Sequence, residues 1–219
     1  MTISAERQRL TGKRLRLFKE LGAALARGAA LAIAERTRTS LEYVETQSSL
    51  LRVETLMEAT GDPENAAVAV YSRVNGEAPG HAAYLFPYRK AAGLVDVIEG
   101  REIGSTARIE TSSSPVLRDL GSQLICSSVV ALSKHAGIQL KPDPPVMAVD
   151  MAWAIVSSVV AFAGETADLA LVVTNRFGSD SDAVDGLFLY IFDPESMEAI
   201  ESAMESRAGS ACETTQLAA

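Results

Sequence analysis

The feature that most limits the fold of this chain is a repeat. The segment Lys19-Glu-Leu-Gly-Ala-Ala-Leu-Ala lies on Arg118-Asp-Leu-Gly-Ser-Gln-Leu-Ile without a gap, so Glu20 falls on Asp119, Gly22 on Gly121 and Leu25 on Leu124. Both copies sit in helical patterns. Over residues 13–36, Leu17, Leu21 and Leu25 recur at i, i+4 and i+8, which makes one apolar stripe. The small residues Gly22, Ala26, Ala29 and Ala30 around it let a second helix backbone come close. The second copy has its own start and stop signals: Ser114 suits an N-cap, Pro115 the first helical position and Gly137 a C-cap. Leu117, Leu120, Leu124, Ser128 and Ala131 run along its inner face.

The elements after each helix repeat as well. Behind the first come a strand at residues 40–46, a turn at 61–65 and a strand at 67–74. Asn75-Gly76 signals a hairpin, 81–86 returns as a strand, and Pro87 precedes a short helix over 89–98 closed by Gly100. Behind the second come Ile138–Lys141, the rigid turn Pro142-Asp-Pro-Pro145, the apolar run 146–149 and a helix over 150–163. Strands Leu169–Phe177 and Gly186–Phe192 come next, and Pro194 opens a final helix that frays past Gly209. The expectation is one α+β domain over residues 1–205, with a pseudo-two-fold internal repeat of about 13–100 and 112–205. Its antiparallel β-sheet is covered by the two long helices, and residues 206–219 form a flexible tail.

Composition excludes several functions. An apolar fraction of 47% over 219 residues rules out wholesale disorder, and a net charge of −8 argues against nucleic acid as a partner. No apolar run is long enough to make a transmembrane segment, no signal-peptide core follows Met1, and two cysteines cannot build a disulfide framework, which points to a reduced, cytoplasmic protein. Residues 1–20 carry six basic groups against Glu6 and Glu20. This basic N-terminus reads as a solvated helix face, with docking to an acidic partner or an anionic membrane as the alternative. Cys126 reads as a buried, inert thiol, Trp153 as a core or interface anchor, and His81 and His135 have no partners at ligand spacing, so no metal site is expected.

The order of parts, with an acid–x–Gly step in each long helix, resembles the CheC/CheX family of chemotaxis phosphatases over residues 15–205. The family helix reads acid–x–x–Asn, with a proline twenty-three positions beyond the asparagine; here Asp119-Leu-Gly-Ser122 stands in the motif and Pro145 at the proline. The resemblance implies binding of a CheY-type response regulator and hydrolysis of its aspartyl phosphate, with a CheD-type receptor deamidase as a further partner. It implies no cofactor of the protein's own, since Mg²⁺ would be carried by the regulator. The helix carboxylate (Asp119, with Glu20 as its counterpart in the first repeat) would pair with the regulator's lysine, and the amide would orient the attacking water.

The sequence departs from this pattern at the amide. Ala23 replaces the asparagine in the first repeat and Ser122 in the second. Gln123 restores an acid–amide pair at i, i+4 on one helix face, one methylene longer than asparagine. Asp119 with Gln123 or Ser122 is therefore the candidate catalytic set, and Glu20 and Pro145 are candidate partner-binding residues. The alternative is a binding-only scaffold or adaptor of the flagellar-switch kind, because losing one positioned donor typically costs on the order of 10²–10³ in rate.

Overall fold

The computed structural model describes residues 12–37, 43–60, 62, 64–109, 115–164, 167–177 and 184–216. Helix α1 (Gly12–Thr37) leads into strand β1 (Tyr43–Arg52), a 3₁₀ turn at Val53–Thr55 and the short α2 (Leu56–Ala59). Strands β2 (Ala66–Gly76) and β3 (Gly80–Pro87) and helix α3 (Tyr88–Ile98) complete the first half. The second half runs α4 (Pro115–Ala136), β4 (Leu140–Pro142), β5 (Val146–Met151), α5 (Ala152–Ala163), β6 (Leu169–Phe177), β7 (Val184–Phe192) and α6 (Pro194–Gln216).

These strands form one seven-stranded antiparallel sheet in the order β1-β6-β7-β3-β2-β4, with β5 also paired to β2. Counted from either edge the order is the same, with β1 answering β5, β6 answering β2 and β7 answering β3. The pseudo-two-fold axis thus passes between β3 and β7, where Tyr84 faces Phe188. The halves also exchange a strand, since β1 pairs with β6 and β5 pairs with β2.

The α+β architecture read from the repeat is the one observed, and the structure adds a third layer. Val68, Val70, Tyr84, Phe86, Leu171, Val173, Phe188 and Tyr190 point to one face and pack under α1, α3 and α4. Their strand neighbours Ala67, Ala69, Ala83, Leu85, Ala170, Val172, Leu189 and Ile191 point to the other face, under α2 and α5. Strands that are apolar on both faces must be covered on both, and the run Leu187–Phe192 carries that demand in its sequence.

Three local expectations change. Asn75-Gly76 does not form a two-residue turn. Strand β2 runs through both to pair with β4, and Gly76 takes a φ of 128° because a side chain there would strike the Gln139 carbonyl. Regular helix α6 continues past Gly209 to Gln216, well into the segment expected to be a flexible tail. Strand β1 begins at Tyr43, and the earlier part of the expected strand, residues 40–42, lies outside the described residues, as does the Ser114 cap.

Candidate functional site

The two long helices lie side by side on the sheet, held down at the repeat's glycines. A Cβ on Gly22 would stand 2.7 Å from Ser48 Oγ, and one on Gly121 would stand 2.7 and 2.8 Å from Val70 Cβ and Cγ1. The helices also press on each other, because a Cβ on Gly28 would be 3.1 Å from the Ser127 carbonyl oxygen. Contacts between residues 36 and 119 and between 28 and 127 show that α1 and α4 run antiparallel, and the charge of Glu20 acts on His135 in the same register. The burial pattern repeats with the same 99-residue offset as the motif: Phe18, Leu21, Leu25, Ala29 and Ile33 are buried, and so are Leu117, Leu120, Leu124, Ser128 and Leu132. The outward positions match as well, with Leu31 66% exposed and its counterpart Val130 47% exposed.

The seam between these helices brings Asp119 and Gln123 together. Asp119 is exposed, its side chain at 61%, and Gln123 one turn later is half-buried. Arg36, in the last turn of α1, reaches both: its Nε donates to Gln123 Oε1 at 2.8 Å, and Nη2 lies 3.4 Å from Asp119 Oδ2. A guanidinium N–H can only bond to the amide oxygen, so the Gln123 NH₂ group is turned away from Arg36. Ser122 is half-buried beside them.

The opposite end of the seam holds the counterpart set. Glu20 is exposed, the Ala23 and Ala24 side chains offer no polar atom, and His135 stands 99 residues beyond Arg36. Burial lowers the pKa of the His135 imidazole; Glu20 opposes that shift, and Arg207 and Arg27 add to it. Pro145 is half-buried in the link from β4 to β5, on the edge where the Asp143 carbonyl accepts a hydrogen bond from Ser72 at 2.7 Å. Among the described residues no hydrogen bond or ion pair ties it to the Asp119 cluster.

Two side-chain placements differ from the sequence reading. Cys126 is exposed rather than buried, because the inward positions of α4 are Leu124, Ile125, Ser128 and Val129, and residue 126 falls between them. Trp153 is 45% exposed on α5, which overturns the core half of its reading and leaves the interface anchor. The sequence reading missed Arg36. Its one signal was a basic residue in a helix's last turn, which by itself suits the helix dipole. Among the described residues no group of three or more His, Cys, Asp or Glu is placed to hold a metal, and no helix is long and apolar enough to cross a membrane.

A sheet of palindromic order under two long antiparallel helices, with an acid at the same place in each, is the arrangement that the resemblance to the CheC/CheX family implies. Comparison with known proteins bears out that likeness. The chain is 24% identical over 160 residues to the CheY-P phosphatase CheC of Bacillus subtilis, covering 72% of this chain and 76% of CheC. In fold it is similar to Thermotoga maritima FliY (TM-score 0.69, 13% identity, 90% of this chain and 98% of that one). It is also similar to a chain of the CheX–CheY–BeF₃–Mg²⁺ complex from Borrelia burgdorferi (TM-score 0.50, 14% identity, 78% and 97%). No family model matches the chain.

Proposed function

We propose that this protein is a chemotaxis-related, CheC-like component that binds the receiver domain of a CheY-type response regulator on the outer face of α1 and α4. The observation that carries the reading is Asp119, an exposed carboxylate at the acid position of the repeated helix. Charge favours the same helices. Helix α1 carries six basic residues against Glu20 and Glu35, and α4 carries Arg118 and Lys134 against Asp119. The pair is therefore net positive by five in a chain of net charge −8, so an acidic partner is steered to these helices and away from the rest of the surface. Exposed Leu31 and Val130 supply apolar contact on that face. The deamidase-type partner expected from the resemblance has no such surface argument.

Titration of a purified CheY-type receiver domain into the wild type and Asp119→Lys tests this. Binding that weakens about tenfold or more in the variant is expected, because a lysine placed against the receiver's own lysine repels it. Equal affinity of both proteins, or no binding by the wild type, refutes the proposal.

A second reading, hydrolysis, rests on Gln123. Its amide oxygen is held by Arg36, which leaves the NH₂ group as the donor for a phosphoryl oxygen or an attacking water. Phosphate release from the Mg²⁺-bound, phosphorylated receiver separates the two readings. Release above the receiver's own rate that falls in Gln123→Ala supports hydrolysis with Asp119 and Gln123. Release that falls in Ser122→Ala instead moves the role to the hydroxyl, and release at the receiver's own rate leaves binding alone.

A further inference from the structure

The geometry points to Arg36 as the group that makes docking depend on phosphorylation, by leaving Asp119 for the phosphoryl oxygens of the bound partner. The inference rests on the docking surface proposed above and assigns its selectivity to one residue. A guanidinium has five N–H donors, and Arg36 uses one on Gln123 Oε1 at 2.8 Å and a second in the longer 3.4 Å approach to Asp119 Oδ2. The remaining donors face no acceptor among the described residues, and the side chain is 37% exposed.

Position makes this cation the relevant one. A phosphoryl group that touches the Gln123 amide arrives beside the guanidinium already bonded to that amide's oxygen, within the swing of the long Arg36 side chain. An acyl phosphate is a dianion with several acceptor oxygens, whereas Asp119 offers one negative charge at long range and in contact with water. Arginine forms two parallel hydrogen bonds with phosphate oxygens, so exchanging the carboxylate for the phosphoryl group gains both charge and geometry. The exchange also frees the Asp119 carboxylate to meet a cation on the partner. One movement therefore completes both contacts, and it takes place only when the phosphoryl group is there to take the guanidinium. An unmodified partner meets an acid already neutralised by Arg36.

The test measures affinity for a purified CheY-type receiver domain with Mg²⁺ alone and with Mg²⁺ and beryllofluoride, which mimics the phosphoryl group. The wild type should prefer the beryllofluoride form by about tenfold or more. Arg36→Ala and Arg36→Gln should both erase most of that preference, lowering affinity for the loaded form far more than for the Mg²⁺ form. Arg36→Gln keeps a hydrogen-bonding side chain at the seam, so a loss caused by disturbed helix packing would spare it. The inference is overturned if either variant retains the wild-type preference, or if both forms weaken by the same factor. In those cases the docking surface itself stands, whereas a wild type that binds neither form removes both proposals.

Discussion

Gly121→Ala tests the claim that the candidate site is set in place by how closely α4 lies on the sheet. The new Cβ would be 2.7 Å from Val70 Cβ and 2.8 Å from Cγ1, where ordinary contact begins near 3.4 Å, and its nearest neighbour would be Val70 Cγ2. Val70 is 2% exposed and belongs to β2, between β3 and the edge strands, so it has nowhere to retreat. Helix α4 must then rise by roughly 1 Å, an overpacking that costs about 1–3 kcal/mol. Alanine's better helix propensity returns about 0.8–1 kcal/mol. The net loss is about 0–2 kcal/mol, or a fall in Tm of up to roughly 8 °C for a domain of this size. Gly93→Ala is the matched control. That residue also lies within a helix, α3, but its Cβ would meet only Ile103 Cγ2 at 3.7 Å, so the propensity gain should stand alone and stabilise the protein. Urea denaturation of both variants, with the Arg36-dependent receiver binding of the folded Gly121→Ala protein alongside, gives the readout. If Gly121→Ala is as stable as Gly93→Ala, the helix is not pinned at the repeat's glycine and the reasoning fails.

Tyr84 and Ser128 are both fully buried and share a 2.8 Å hydrogen bond that ties β3 to α4, so Ser128→Ala leaves the phenol unpartnered and should cost about 1–3 kcal/mol. Adding Tyr84→Phe should recover part of that loss, and strict additivity in a double-mutant cycle would contradict it. Asp96 accepts from the Thr106 hydroxyl at 2.5 Å and from the Thr106 and Gly104 backbone N–H groups, and these bonds with Arg101 hold its carboxyl below the usual range. Its stabilising effect is thus complete above the unfolded-state pKa of ~3.9 and is lost as pH falls through the lower folded-state value. Asp96→Asn should flatten that acid limb of a urea-midpoint profile, and an unchanged limb counts against the assignment. Because each half lends the other a strand, residues 1–110 and 111–219 made as separate chains should each lack a cooperative unfolding transition and regain one when mixed. A cooperative transition in either fragment alone would show that the exchange is dispensable.

The repeat made most of the fold legible. Two glycines at matching places fix where each helix touches the sheet, and the apolar stripes around them name the buried face, as Leu21, Leu25, Leu120 and Leu124 show. The second covering layer was written in Leu187–Phe192, an unbroken apolar run that a half-exposed strand would not carry, but its significance depends on strands distant in sequence. Asn75-Gly76 misled because the pair suits a tight turn, whereas the glycine is needed for the approach of the Gln139 carbonyl, sixty-odd residues away. For the candidate site, the exposure of Asp119 and the pairing with Gln123 follow from helical spacing alone. Arg36 does not, since nothing local tells that the two helices pack antiparallel and bring residue 36 onto residue 119. Cys126 was within reach of the same spacing argument: the stripe that buries Leu124 and Ser128 turns residue 126 outward.

The duplication also explains why the two ends of the helix seam carry different polar groups. Inward positions answer the same demands in both halves, so large apolar side chains recur there, while the outward ones are free to diverge. At the Glu20 end, alanines stand at residues 23 and 24, and burial keeps the His135 imidazole below its ordinary pKa of 6.5, hence neutral at pH 7. Glu20 there meets a neutral ring, and Ala23 and Ala24 beside it offer no amide to a phosphoryl oxygen. At the Asp119 end the equivalent place is taken by Arg36, a cation at any physiological pH, with the Gln123 amide bonded to it. Two ends built on the same backbone thus differ in the groups they offer, and the paired guanidinium and amide stand only at the Asp119 end.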